Sequence, residues 1–120
     1  MKYVVLIYSN PTTWEALSEE ERDGLMGEFE AFNKELIESG EFVGGTALAD
    51  PANTKTVRVR GGVPAITDGP FAEAKEQLAG YFVIDCLNLE RATEIAARDP
   101  NARLGAVEVW PIMDEAGTEM

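Results

Sequence analysis

The chain has 120 residues, of which 45% are hydrophobic and 27% charged, and its formal net charge is -12. This length and composition are typical of one globular domain and argue against an intrinsically disordered chain. Because nucleic-acid binders need a basic surface, the negative charge predicts no nucleic-acid partner. The longest apolar runs are far shorter than the ~20 residues of a membrane-spanning helix, so we also expect no membrane partner.

The chain contains one cysteine, Cys86, and no histidine. An intramolecular disulfide is therefore impossible, and the N-terminal residues lack the features of a signal peptide, so we expect a cytoplasmic protein. Without histidine, no Ser-His-Asp or Cys-His pair, no ordinary zinc site and no His-ligated haem can form. Binding of Mg²⁺ or Ca²⁺ by carboxylates alone stays open, but no clustered motif supports it. We therefore expect no metal and no cofactor.

The first half of the sequence predicts a strand, a helix and a second strand. Residues 3–8 are apolar on both alternating faces, which is typical of a central strand. Ser18 and Glu21 have the spacing of a capping box and predict a helix start, and Gly40 predicts its end. Residues 41–49 predict the second strand. The apolar stripe of the helix comprises Leu25, Phe29, Phe32 and Leu36, widened by Met26 and Ile37.

A hairpin is predicted in the middle of the chain. Residues 56–60 alternate polar and apolar side chains, Gly61-Gly62 suits a two-residue turn, and residues 63–67 form the returning strand. Pro64 makes that strand an edge. The charged residues 71–78 predict two helical turns or a structured loop.

The last third predicts a strand, a helix and a final strand. Residues 80–86 form the second strongly apolar strand, and Asn88 is the N-cap of a helix that runs to about Arg98. Its buried stripe is small and consists of Ala92, Ile95 and Ala96. Asp99-Pro100 stops this helix, and residues 106–112 form the last strand. Residues 1–113 are predicted to form a single domain, and residues 114–120 a flexible acidic tail.

The element order predicts an α+β fold: a ferredoxin-like split βαβ sheet with an extra hairpin. Right-handed crossovers place both helices on one face of the sheet. Both faces of the strands at residues 3–8 and 81–84 are apolar, however, and the helices cover only one of them. A second sheet must cover the other face, which predicts a homodimer packed sheet on sheet.

The segment from Thr67 to Tyr81, TDGPFAEAKEQLAGY, resembles the signature of the DGPF proteins in the YCII-related family. The opening residues 2–8 and the closing residues 107–112 are also similar to that family. The resemblance implies a dimeric α+β barrel made from two ferredoxin-like sheets, but no settled activity. Some YCII-related proteins carry a histidine-aspartate pair proposed as catalytic, which this chain cannot form. Relatives are often associated with extracytoplasmic-function sigma factors, which implies a regulatory setting.

Candidate site residues surround this motif. Asp68 serves either as an acid-base group or as the cap of the Asp-Gly turn. Phe71 is either a stacking platform or a core residue, and Lys75 either a substrate contact or part of a solvated face. Asp85 either lies buried under a partner sheet with a raised pKa or is solvated at the strand end. The candidates are Asp68 and Asp85 as catalytic groups, and Tyr8, Phe71, Lys75 and Tyr81 as substrate-binding groups.

Two functions follow from these residues. The first is a small-molecule enzyme or binder with a cavity in a dimeric α+β barrel, for which cofactor-free proton transfer is the simplest chemistry. We expect Asp68, Phe71, Lys75 and Tyr81 to border one cavity, with Asp85 further along the same strand. The alternative is a non-catalytic regulatory or sensor module, linked to transcription, that acts through protein partners.

Overall fold

The structure is a computed structural model that describes residues 1–72 and 75–114. Four strands form an antiparallel sheet in the order β2-β5-β1-β6, and two more form a separate hairpin. The predicted α+β sheet with an inserted hairpin is confirmed. The strands are β1 (Lys2–Ser9), β2 (Phe42–Ala47), β3 (Lys55–Arg60), β4 (Val63–Asp68), β5 (Gln77–Asp85) and β6 (Ala106–Pro111).

Two long and two short helices connect the strands: α1 (Pro11–Glu15), α2 (Glu19–Glu38), α3 (Leu89–Arg98) and α4 (Asn101–Leu104). The capping box is confirmed, because the Ser18 hydroxyl accepts from the Glu21 amide and the Glu21 carboxylate accepts from the Ser18 amide, both at 3.1 Å. Gly40, with φ of 77°, ends α2 as predicted. The short helices α1 and α4 were not predicted, because neither is long enough to carry an apolar stripe. No helix in the described part of the chain is long and apolar enough to cross a membrane.

The core lies between one face of the sheet and the helices α2 and α3. Tyr3, Val5, Ile84 and Ile95 are completely buried there. The predicted α3 stripe is confirmed, because Ala92, Ile95 and Ala96 are its buried residues. On α2 only Leu25 and Leu36 are buried.

The prediction that Met26 and Ile37 widen the buried stripe of α2 is wrong. Their side chains are 52% and 61% exposed. Both lie at the border of a cleft between α2 and the sheet, so the helix does not pack on the strands along that side.

The opposite face of the sheet carries a second apolar surface. The strand register places Leu6 beside Tyr81, and Val4 between Val83 and Trp110. These residues alternate along their strands with the buried core residues, so they point away from the helices. Tyr81 and Trp110 are 39% and 54% exposed. We call this surface the uncovered sheet face; it comprises Val4, Leu6, Tyr81, Val83 and Trp110.

The strands β3 and β4 form the predicted hairpin. Its turn residues Gly61 and Gly62 have φ of 57° and 78°, the conformation that a two-residue turn of this kind requires of both residues. Each residue of β4 is exposed. Residues 71–72 and 75–76 form bends rather than helical turns, and β5 begins at Gln77. Glu73 and Ala74 lie outside the described residues. So do residues 115–120, and the flexible tail over residues 114–120 stays a prediction.

Candidate functional site

A cleft of about 570 Å³ lies between α2 and the β2–β5 half of the sheet. This volume is within the range of small-molecule sites in proteins. The walls are mainly apolar, with a few polar groups at the base. The wall residues from α2 are Met26, Phe29, Phe32 and Ile37, and the polar groups are Asn33, Thr46, Asp99 and Asn101.

Small residues on the paired strands β2 and β5 open this space. A Cβ atom on Gly45 would lie 2.7 Å from the Cβ of Phe82, and one on Gly80 would lie 2.8 Å from the carbonyl oxygen of Thr46. Side chains at these two positions are therefore excluded by the backbone of the neighbouring strand. Ala47 and Ala79 add little volume beside them. The sheet side of the cleft, which we call its floor, is thus lined by small residues beside Ile7 and Phe82.

A second cavity of about 630 Å³ adjoins the first. The two cavities share Phe29, Ala47, Ala79 and Asn101 in their walls. Trp14 of α1 borders the second cavity, so the short helix that the sequence did not predict closes one end of the space. We call the two cavities together the α2 cleft.

Asp99 is the buried charged residue of the cleft and is only 3% exposed. Its Oδ1 accepts hydrogen bonds from the Asn101 amide at 2.9 Å and from the Asn101 Nδ2 at 3.0 Å. Burial raises the pKa of the Asp99 carboxyl, and the two hydrogen bonds from Asn101 oppose that rise. The carboxyl also has a structural role, because it accepts from the backbone amide of Asn101, the first residue of α4.

This arrangement can hold and transfer a proton. A carboxyl whose pKa is raised by an apolar environment exchanges protons closer to neutral pH than an ordinary aspartate does. In the described residues, no group of three or more cysteine or acidic side chains is arranged to bind a metal ion. The Asp99 carboxyl supports proton transfer to or from a ligand oxygen.

Sequence reasoning missed Asp99 because Asp-Pro was interpreted only as a helix stop. A signal for its burial does exist in the sequence. Asp99 follows Ala92, Ile95 and Ala96 at intervals of seven, four and three residues, which is the spacing of one helix face. A carboxylate that continues a buried apolar stripe is a candidate for a perturbed pKa.

The DGPF motif closes the base of the hairpin. Asp68 forms an ion pair with Lys55. The Gly69 amide donates to the carbonyl of Thr54, and the Thr56 hydroxyl donates to the carbonyl of Gly69, each at 2.7 Å. Gly69 has φ of 88°, which favours glycine at this position. The motif therefore holds the two strands of the hairpin together at its base.

Phe71 belongs to the same arrangement. The guanidinium of Arg58 lies 5.4 Å from the centre of its ring. The interpretation of Phe71 as a core residue is wrong, because it is 74% exposed. It lies against β3 instead.

The remaining predicted residues are distributed over the sheet. Tyr81 is one of the consecutive β5 residues that line the first cavity, although its side chain belongs to the uncovered sheet face. Tyr8 points to the side of the uncovered sheet face, and the neighbouring Glu108 carboxylate raises the pKa of its phenol. Asp85 ends β5 with a half-exposed side chain that pairs with the N-terminal ammonium group at 3.1 Å. This is the solvated strand end that the sequence left open as an alternative. Lys75 is exposed.

The structure does not bring the six predicted residues to one cavity. Among the described residues, Tyr81 borders the α2 cleft, whereas Asp68, Phe71, Lys75, Asp85 and Tyr8 are not among its wall residues. Asp68 and Phe71 are held together at the hairpin base. No ligand-dependent observation tests their roles, which stay predictions.

Comparison with known proteins identifies the family. The model of the YCII-related domain matches residues 1–116. The chain belongs to the YCII-related family. An uncharacterized protein of Rhizobium meliloti (strain 1021) is 35% identical to this YCII-related chain over 114 residues, which cover 93% of this chain and 92% of the relative. The name of that relative gives no activity to compare with this chain.

A solved structure supports the fold. The 5-chloro-2-hydroxyhydroquinone dehydrochlorinase of Burkholderia phenoliruptrix AC1100, in complex with 2,5-dihydroxybenzoquinone, matches this YCII-related chain with a TM-score of 0.54. The match covers 99% of this chain and 100% of the dehydrochlorinase, at 11% sequence identity. At this identity the likeness establishes the α+β fold and nothing about chemistry.

Proposed function

We propose that this YCII-related protein is a small-molecule enzyme or binder whose ligand lies in the α2 cleft. The observation that carries the proposal is the buried acidic residue Asp99, which lines an apolar cleft of ligand size. Buried titratable groups in apolar pockets are typical of functional sites. A cytoplasmic location is part of the proposal and is supported by the single cysteine.

The walls favour a flat ligand with an oxygen substituent. Phe29 and Phe32 offer aromatic surface to a ring, and small residues line part of the cleft floor. Asn33 and Asn101 line the same cleft as Asp99 and provide hydrogen-bonding groups. The structural neighbour from Burkholderia phenoliruptrix is named for a substituted hydroquinone and holds a dihydroxybenzoquinone, which agrees with a hydroxylated ring as the first ligand class to examine.

Asp99 is the group that we assign to the polar atom of the ligand. Both of its hydrogen bonds from Asn101 go to Oδ1, so Oδ2 is the oxygen that we assign to the ligand. In its neutral form the carboxyl donates a proton to a ligand oxygen, and as a carboxylate it removes one. If the protein is catalytic, cofactor-free proton transfer is the reaction that this group serves.

The test compares three aspartate variants in one binding assay. We expect hydroquinones and dihydroxybenzoquinone to raise the melting temperature of the wild type, and a bulky Ala47→Phe substitution at the cleft floor to abolish that rise. Asp99→Asn should weaken binding and remove its pH dependence, because the amide does not titrate. Asp68→Asn and Asp85→Asn should bind as the wild type does.

Two outcomes contradict this assignment. Binding by Asp99→Asn with an unchanged pH profile rules out Asp99 as the titrating contact. Loss of binding in Asp68→Asn or Asp85→Asn, with the fold intact, instead supports the catalytic roles predicted from the sequence. A cleft that takes no member of a broad ligand panel favours the alternative of a regulatory module.

We also propose that two subunits form a homodimer through the uncovered sheet face, as a dimeric α+β barrel of two ferredoxin-like sheets. The support is the exposed apolar character of this face, which soluble monomers seldom leave open. Light scattering should give about twice the chain mass of 13.1 kDa. Val4→Asp should produce a folded monomer, whereas Val5→Asp should unfold the subunit because Val5 lies in the core. A monomer at all concentrations contradicts the proposal.

A further inference from the structure

The hairpin formed by β3 and β4, residues 55–68, has an exposed apolar face. The register places Val57 beside Ile66 and Val59 beside Pro64, so these four side chains share one face. Val57, Val59 and Ile66 are 60%, 56% and 64% exposed. We call residues 55–68 the β3–β4 arm. Its strands pair only with each other in the described part of the chain.

An arm of this kind is poorly stabilised by its own subunit. An isolated two-stranded hairpin is marginally stable in water and needs to pack an apolar face on something else. The shape of the chain agrees, because the radius of gyration is 16.6 Å, whereas a compact domain of this length has about 13.6 Å. The single subunit is only 18 Å thick against 49 and 44 Å in its other dimensions. It therefore leaves surface that a compact protein would bury.

The charge of the arm is opposite to that of the rest of the chain. Lys55, Arg58 and Arg60 against Asp68 give the arm a net charge of +2, counted as 3 minus 1. The remaining residues then carry -14, because the whole chain has -12. Two arms would repel each other, but an arm and the body of a second copy attract each other.

We propose that the β3–β4 arm of each subunit packs its apolar face on the body of a second copy of this chain, so that the two subunits exchange arms around a two-fold axis. This inference rests on the proposed homodimer and adds a second contact to it. A two-fold axis makes the exchange reciprocal, because each arm meets the same surface of the other subunit. The DGPF motif then acts as the clasp that fixes the arm at its base, through the Lys55–Asp68 pair and the Arg58–Phe71 contact.

Two neighbouring substitutions test the arm. Ile66 and Ala65 are both exposed and lie on opposite faces of β4. Ile66→Lys and Ala65→Lys add the same charge on opposite faces, and Ile66→Lys also removes an apolar side chain of the proposed contact. Sedimentation equilibrium should show a dimer dissociation constant at least about tenfold higher for Ile66→Lys, and one within about threefold of the wild type for Ala65→Lys.

Hydrogen exchange provides a second measurement that needs no variant. The amides of β3 and β4 in the wild type should exchange more slowly as protein concentration rises through the dimer dissociation constant. A stable dimer with concentration-independent arm exchange, and with Ile66→Lys equal to Ala65→Lys, overturns the arm contact and leaves the sheet-face dimer standing. A monomer at all concentrations overturns both. Ligand binding in the α2 cleft is measured separately, so its failure is distinguishable from either outcome.

Discussion

Two adjacent residues of β5 distinguish the two faces of the sheet. Ile84 is completely buried against the helices, whereas Val83 is half-buried and belongs to the uncovered sheet face. Ile84→Ala removes a side chain from a regular strand that cannot collapse into the space left behind. We expect a loss of about 3 to 4 kcal/mol in the free energy of unfolding, within the usual range for such a change. The melting temperature should fall by about 10 to 15 °C.

Val83→Ala should behave differently because its surroundings depend on a second subunit. The substitution removes two carbon atoms, which are worth about 1.6 kcal/mol when fully buried and about half of that in the isolated subunit. Formation of the dimer would bury the other half, so each subunit contributes a further ~0.8 kcal/mol. Two subunits give about 1.6 kcal/mol per dimer, which corresponds to about a tenfold rise in the dimer dissociation constant.

The assay is urea unfolding of both variants at protein concentrations from about 1 to 100 µM. The loss in Ile84→Ala relative to the wild type should be the same at every concentration. The loss in Val83→Ala should grow with concentration and approach its dimer value. If the Val83→Ala loss is small and constant, the uncovered sheet face contacts no second subunit. If Ile84→Ala costs less than about 1 kcal/mol, the burial of that side chain in the core is misjudged.

Four further predictions concern charge and backbone space. Hydrogen bonding from Arg91 lowers the pKa of Glu41, so the stabilisation by this pair is present above the unfolded pKa and disappears as pH falls through the folded pKa. Glu41→Gln should therefore be less stable than the wild type at pH 7, and the difference should shrink as pH falls below 4.5; a difference that does not change with pH contradicts this. Burial raises the pKa of Asp99, so the wild type loses stability as pH rises through that folded pKa. Asp99→Asn should therefore gain stability relative to the wild type from about pH 4 upwards. If the difference in melting temperature between the two proteins stays constant with pH, Asp99 titrates normally. A Cβ atom on Gly105 would lie 2.3 Å from the carbonyl oxygen of Tyr8, so Gly105→Ala should lower the free energy of unfolding by about 1 to 3 kcal/mol, measured in urea. Gly27 lies in the middle of α2 with open space around it, so Gly27→Ala should raise the free energy of unfolding by up to about 1 kcal/mol. At a net charge of -12 the protein should not be retained on duplex DNA in a filter assay even at low salt, and micromolar binding would show that Arg58 and Arg60 form a real phosphate site.

The sequence alone determined the six strands, the two long helices and their order. The capping box at Ser18 and Glu21, the turn at Gly61-Gly62 and the α3 stripe of Ala92, Ile95 and Ala96 are local signals, and the structure has each of them. Such signals depend on residues a few positions apart, whose backbone hydrogen bonds and side-chain spacing are set within one element. The order of these elements then leaves few topologies, which is why the α+β sheet could be predicted.

Only the tertiary structure decided which face of the sheet the helices cover. Val4 and Val5 are equally apolar, and a period of two residues says that they point in opposite directions without saying which one is inside. The structure puts Tyr3 and Val5 in the core and leaves Val4 and Leu6 on the other side.

The location of the candidate site was also decided only by the tertiary structure. Asp99 follows α3, whereas Phe29 lies on α2 and Gly45 on β2, so the residues that line the α2 cleft come from distant parts of the sequence. The DGPF motif, in contrast, was predicted from the sequence to be part of a site, whereas in the structure it is the clasp that holds the base of the hairpin. Local patterns specify which residues a turn needs, whereas burial and cavity shape depend on elements brought together from distant parts of the chain.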